Sequence, residues 1–355
     1  MSAPQKFVSK EALSGWMAWA AEKAEVYAPQ REGSSVVYRA FEPGAVIELE
    51  RRPTESAKKI IFPRCESLFT FSKQGEGDYP VQQGLVLQEA AEPGQSVVFC
   101  ALSCDARGFL AFDPVYQGSG TQGLAQDTYY LKRRERCTLV VRACKTPLDT
   151  CFCNWVGGGP ASEQGADVLA VDVEGGMALT AFSDKGKALL ACPLLSDITS
   201  EKAQAAQKAG EAAAALMPAA PDLSRSSEAL YALFGNAEFW WSQSAHCLSC
   251  GACTYLCPTC YCFNITDESN GLAGVRLRNW DTCMSPQFTL EASGHNPRQG
   301  KAARLKNRVG HKFAYYPKLH SGRFSCSGCG RCIKSCPSSV DIRKIVLDAI
   351  GAHSS

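Results

Sequence analysis

The sequence predicts an α+β protein: an α/β domain over residues 1–195, a helical connector over 196–245 and a mostly α-helical domain over 246–355. Three observations carry that reading. The first 195 or so residues alternate β-branched runs with helix-like segments, an alanine-rich stretch follows, and the last hundred residues hold one cysteine spacing twice. At 355 residues the chain exceeds what a single core usually fills, which suits two domains and a connector.

The elements follow in order. From Ser9 to Tyr27, Leu13, Trp16 and Ala20 recur at helical spacing with Glu22, Lys23 and Glu25 between them, which predicts an amphipathic surface helix. "SSVVYRAF", "AVIEL", "KKIIFP", "SVVFCAL" and "CTLVVRAC" are β-branched runs bounded by turn residues, and they predict strands. "ADVLAVDVEGG" and "MALTAF" predict two more, joined at Gly175-Gly176. "ARGFLAFDPVY" and "TYYLKRRER" fit short helices between strands. From Ser200 to Met217 the alanine-rich run favours a helix, with Ser200 as a candidate cap, Glu201 in the first turn and Pro218 as the stop. A second connector helix is expected from Ser226 to Phe234, and "QFTLEASGHNPRQGKAARLKNRVGHKFAYY" reads as largely helical.

Composition narrows the function classes. A net charge of +2 argues against a dedicated nucleic-acid binder. "MSAPQKFVSKEALSG" lacks the layout of a signal peptide, and no apolar run approaches the length of a membrane span. A cytoplasmic protein is therefore expected, where thiols stay reduced and structural disulfides are rare. Nineteen cysteines in such a chain point to metal ligation.

Their spacing is specific. Cys247, Cys250, Cys253 and Cys257 before Pro258 form C-x2-C-x2-C-x3-C-P, and Cys326, Cys329, Cys332 and Cys336 before Pro337 repeat it. In two-cluster ferredoxins three closely spaced thiolates hold one [4Fe–4S] cube, and the fourth cysteine of the run reaches the other cube. This assigns Cys247, Cys250, Cys253 and Cys336 to one cluster, and Cys326, Cys329, Cys332 and Cys257 to a second. Structural zinc prefers two separated ligand pairs, often with histidine, and fits less well. The wide, largely helical gap between the motifs favours an α-helical dicluster ferredoxin domain. Arg298, Lys301, Arg304, Lys306, Arg308, His311 and Lys312 lie in that gap. They read either as a solvated helix face or as charges that offset the clusters or dock an acidic partner.

The N-terminal part has thiols of its own. Cys100 and Cys104 follow one strand-like run; Cys144, Cys151 and Cys153 follow another, so they fall at strand ends, where ligands often converge. Cys104, Cys144, Cys151 and Cys153 suffice for a third cluster, but their spacing is no general motif and leaves the matter open.

"CDARGF", "DTYYLKRRERCTLVVRAC", "TCFCNWVGGGP", "CLSCGACTYLCPTCYCF", "NWDTCMSPQFT", "GHNPR" and "RLKNRVGHKF" carry a resemblance. From about Lys58 to Val346 the chain resembles the iron–sulfur subunits of cytoplasmic sulfhydrogenases (β subunit) and anaerobic sulfite reductases (A subunit). It is similar also to flavin oxidoreductases associated with heterodisulfide reductase. The resemblance implies a cytoplasmic relay of electrons between a flavin- and NAD(P)-binding subunit, where FAD is expected, and a separate catalytic redox subunit. It also implies the third [4Fe–4S] cluster on Cys104, Cys144, Cys151 and Cys153, with Asp105 as an alternative ligand. Asn264 stands where the family tends to have aspartate.

Other residues carry less. Cys260, Cys262 and Cys283 are too few for a cluster without a fourth group such as His295, and packing or hydrogen bonding beside Cys257 accounts for them. Cys65, Cys137 and Cys192 are expected as buried inert thiols. His246 reads as a group that tunes the adjacent cluster or simply faces solvent. Gly157-Gly158-Gly159-Pro160 lacks the strand–helix context of a dinucleotide loop. That lack counts against the alternative in which the N-terminal domain itself binds flavin and oxidises a reduced carrier. The sequence supplies no independent catalytic site.

Overall fold

A computed structural model of the chain describes residues 3–74, 84–118 and 126–354. Its strands are β1 (Gln5–Ser9), β2 (Glu25–Glu32), β3 (Ser35–Ala40), β4 (Cys65–Gln74), β5 (Gly84–Glu89) and β6 (Ser96–Leu102). They continue as β7 (Cys137–Arg142), β8 (Val168–Val173), β9 (Gly176–Ala181), β10 (Ser196–Asp197), β11 (Phe263–Ser269) and β12 (Ala273–Trp280). Helices alternate with them, so the fold is α+β.

The larger sheet runs β10-β1-β9-β8-β7-β6-β2-β3. Its middle strands β2, β6, β7 and β8 are parallel neighbours. Such strands are covered on both faces and read as continuous apolar runs, as "SVVFCAL" and "CTLVVR" do. One face packs on helix Ala12–Ala21, where Leu13, Trp16, Met17 and Ala20 turn inward together with Phe99 and Leu179. The other face packs on helices Ser103–Tyr116 and Thr128–Arg136, around Phe109, Phe112 and Tyr130.

The smaller sheet, β11-β12-β4-β5, is antiparallel. It joins β4 to β12, and so pairs residues on either side of position 246. Helices Ser226–Ala232, Ala237–Ser244, Lys301–Gly310 and Ile342–Ser354 gather a further core around Leu230, Trp240, Leu305, Val309, Phe313 and Ile345. Phe152 and Val156 from the segment after β7 join that core.

Several expected elements differ. The first helix ends at Ala21, and residues 25–32 form β2, whose Glu25–Tyr27 pair with β6 and whose Tyr27–Glu32 pair with β3. "KKII" is a short helix, Lys58–Ile61, with Ile61 packed under the aromatic core. "AVIEL" forms no strand; Glu48 bonds β2 only through its amide to Pro29 O, at 2.8 Å. The segment between the cysteine motifs contains the β11–β12 hairpin, and its helix begins at Lys301 and runs through a wider turn to Leu319. The alanine-rich helix is Ser200–Ala215, capped by Thr199 instead of Ser200. Among the described residues no helix is long and apolar enough to cross a membrane.

Candidate iron–sulfur centres

The two cysteine motifs share a backbone as well as a spacing. Gly251 and Gly330 are left-handed, at φ 78° and 71°, and each opens a one-turn helix, Ala252–Tyr255 or Arg331–Lys334. Ser249 N–H donates to Cys247 Sγ at 3.4 Å, and Gly328 N–H donates to Cys326 Sγ at the same distance. Val340 N–H likewise donates to Cys336 Sγ at 3.3 Å. Amides aimed at sulfur favour thiolate over thiol.

Each loop receives the last cysteine of the other. Cys336 lines one cavity with Cys247, Cys250 and Cys253, bordered by Met284, Leu305, Arg308 and Cys332. In the other direction, the Cys257 thiol and Thr259 Oγ1 are 3.2 Å apart, and Thr259 Oγ1 donates to Ser325 O at 2.9 Å. Burial pushes Cys326 to about 11 and Cys329 and Cys332 to about 12, and Cys257 is among the charges that each of the three feels.

Three residues of the basic stretch are turned inward, while Arg298, Lys301, Lys306 and His311 are half-buried. Arg304, Arg308 and Lys312, spaced by four on continuous helical turns, are 6%, 4% and 2% exposed. Arg304 donates to Ser249 Oγ at 3.1 Å, Arg308 to Cys253 O at 3.5 Å, and Lys312 to Cys257 Sγ at 3.4 Å and Ser325 O at 2.9 Å. Burial alone would strip the Lys312 proton, but Cys257, Cys260 and Cys326 outweigh it and hold the ammonium well above its usual range. Arg308 is held likewise against burial by Cys253, Cys332, Cys260 and Cys257, thiols of both loops.

The N-terminal thiols gather at the C-terminal ends of two adjacent parallel strands. Leu102 of β6 pairs with Arg142 of β7, and each stands two residues before a cysteine, Cys104 and Cys144. Burial raises these thiols to about 12 and about 11. Arg52 sits among the set, donating to Cys151 Sγ at 2.7 Å, Cys104 Sγ at 3.3 Å and Cys329 O at 3.0 Å. Cys153 is raised by burial and then by Cys151, and its sulfur is 3.6 Å from Met217 Sδ. Asp105 is engaged by Arg331, which donates to both carboxylate oxygens, at 2.6 and 2.9 Å, in a buried pair.

This set abuts the second motif. Phe152 N–H donates to Gly328 O at 2.8 Å. A Cβ on Gly328 would lie 2.4 Å from Phe152 O, and one on Gly330 2.3 Å from Thr150 O. Glycine is required there because the two loops touch through their backbones.

Cys257 and Cys260 hydrogen-bond each other, as do Cys262 and Cys283. His295 is exposed on a loop and His246 is exposed beside Cys247. Cys137 and Cys192 are buried, as expected; Cys65, at the start of β4, is exposed instead. At the glycine run, Arg107 donates to Val156 O at 2.5 Å and its guanidinium packs on Gly158. Arg52, Lys58 and Arg331 were not legible as site residues, since their partners lie about 50 to more than 200 residues away. The spacing by four of Arg304, Arg308 and Lys312 was the one available signal.

Four thiols of the first set line one cavity, which is the donor type that a thiolate-held cube takes. Among the described residues no three His, Cys, Asp or Glu groups converge as they would on a single ion. A four-iron cube is several ångströms across and needs its thiols held apart. Ser325 and Ser327, on either side of Cys326, have buried hydroxyls without a partner, as does Arg308 at Nε, donors suited to sulfide and thiolate sulfur.

Comparison with known proteins agrees. Residues 246–340 match the 4Fe-4S dicluster domain family. The chain is 28% identical over 332 residues to the sulfhydrogenase 2 subunit beta of Pyrococcus furiosus, covering 93% of each chain. No solved structure matches the chain. The chain is thus similar to 4Fe–4S dicluster proteins over its cysteine motifs and to a sulfhydrogenase β subunit over nearly its whole length.

Proposed function

We propose that this chain is an electron-transfer subunit of a multi-subunit oxidoreductase, passing single electrons between a flavin- and NAD(P)-binding subunit and a catalytic redox subunit. Its cofactors would be three [4Fe–4S] clusters: one on Cys247, Cys250, Cys253 and Cys336, one on Cys326, Cys329, Cys332 and Cys257, and one on Cys104, Cys144, Cys151 and Cys153. Bound there, such clusters supply one-electron carriage at potentials set by charge, burial and hydrogen bonds to sulfur.

The carrying observation is the order of the thiol sets. The second motif stands between the other two: its Cys329 carbonyl takes Arg52 from the N-terminal set, and Cys332 borders the cavity of the first motif. The chain's residues then hold a continuous row. Arg52 and Arg331 occupy one junction, Arg308 and Lys312 the other. Each cation offsets thiolate charge and favours the reduced, more negative state of the group it faces.

Iron and sulfide analysis of anaerobically prepared protein, with EPR after reduction, tests the reading. About twelve irons per chain are expected, and about eight would remove the N-terminal assignment. Cys151→Ser should delete one signal and spare the others; survival of every signal would sink that site. Lys312→Met should lower the potential of the second motif's centre by on the order of 100 mV, the scale of one charge a few ångströms away at an effective dielectric near 20. A redox titration showing no shift would mean that Lys312 only fills space. Flavin that co-purifies with the lone chain would favour an N-terminal domain that itself oxidises a carrier.

A further inference from the structure

Three thiols near the first motif belong to none of these sets, and two of them are paired. Cys262 directly precedes β11 and Cys283 closely follows β12, so the base of one hairpin brings them together. Phe263 is in register with Trp280, and Asp281 N–H donates to Cys262 O at 2.9 Å. The Cys262 sulfur accepts from both the S–H and the backbone N–H of Cys283. A hydroxyl relay fixes the far side: Thr254 Oγ1 donates to Thr282 Oγ1 at 2.7 Å, and Thr282 Oγ1 accepts from Met284 N–H at 3.1 Å.

Their surroundings are electropositive and close to the first motif. Cys262 feels Lys312 and Lys58, and Cys283 feels Arg308 and Cys253. Lys58 is buried, donates to Cys260 O at 2.8 Å and Thr254 O at 3.2 Å, and lies 4.2 Å from the Trp280 ring centre. Cys260 is excluded from the pair because its thiol bonds Cys257. The bonds from Cys283 bring Cys262 down to about 7, against burial. Thiolate is the reactive form in disulfide chemistry.

We propose that Cys262 and Cys283 are a redox-active dithiol that stores two electrons beside the first motif. The proposal rests on the reading of the chain's clusters as one-electron carriers. On oxidation a Cys262 Sγ–Cys283 Sγ bond forms. Two electrons leave singly, with the oxidised iron–sulfur clusters as their acceptors. The thiol protons go to solvent past Asp281, whose carboxylate reaches the exposed Asn264. Reduction reverses each of these changes. The pair would then let a relay of single electrons exchange them two at a time.

The full-length, cluster-loaded protein is poised anaerobically at a series of potentials and quenched in acid with denaturant and chelator. Free thiols are blocked with one isotopic form of an alkylating agent and, after reduction, the remainder with another. Mass spectrometry should show Cys262 and Cys283 converting together, from less than about a tenth oxidised to more than about nine-tenths, with a two-electron dependence. The exposed Cys65 should stay reduced. In Cys262→Ser, Cys283 should no longer convert while the iron content stays at the wild-type value. Two outcomes would overturn the pair: both thiols remaining free at every potential in protein with full iron, or Cys262→Ser losing about four irons, which would make Cys262 a ligand. Wild-type protein with no iron would instead overturn the cluster reading beneath it.

Discussion

Replacing Cys257 with serine should abolish the centre on the loop that does not contain it. Cys257 lies in the first motif by sequence, yet its thiol reaches through Thr259 to Ser325, beside Cys326. The signal that depends on Cys326, Cys329 and Cys332 should therefore vanish while that of Cys247, Cys250 and Cys253 persists. Cys336→Ser should give the reverse pattern, because Cys336 lines the first cavity. Each variant should lose about four of about twelve irons. If Cys257→Ser and Cys326→Ser removed different signals, the crossed assignment would fail. A loss of both signals in each variant would mean that the two centres fold as one unit.

The second large effect concerns the Asp105–Arg331 pair. Its side chains are 0% and 5% exposed, and it ties the first turn of helix Ser103–Tyr116 to the second cysteine motif. Asp105→Ala leaves a guanidinium buried without its counter-charge, and breaking such a pair costs about 3–5 kcal/mol. Chemical unfolding of the variant should show a loss of that size, together with weaker retention of the N-terminal centre. Replacing both partners with apolar residues of similar size should recover most of the stability. A loss below about 0.5 kcal/mol in the single variant would show that water reaches the pair.

What the sequence revealed differs between the parts of the chain for physical reasons. "SVVFCAL" and "CTLVVRAC" were legible because parallel central strands are apolar on both faces. β2 was missed because "EVYAPQRE" contains a proline and few β-branched residues; pairing with β6 and β3 makes it a strand. β11 was missed for a different reason: every residue in it is exposed, so no buried face imposes an alternation. "KKII" has strand propensity, but Lys58 is drawn to the carbonyls of Thr254 and Cys260, and no local window contains those partners.

By itself the sequence determined the two C-terminal cysteine motifs and their 4Fe–4S dicluster character, since residue type and spacing are local and such loops need little beyond a turning backbone and glycine. It also marked "SVVFCAL" and "CTLVVRAC" as strands and the alanine-rich run as a helix, while their parallel pairing came from the tertiary structure. Only the tertiary structure decided where the charges go. The basic stretch faces the cysteine loops because the helix beginning at Lys301 packs its Leu305–Val309–Phe313 side into the core, which turns Arg308 and Lys312 toward the thiols. The tertiary structure likewise brought Arg52 to the N-terminal thiols and Cys262 to Cys283. Those contacts depend on packing between segments far apart in the chain, and no spacing rule encodes them.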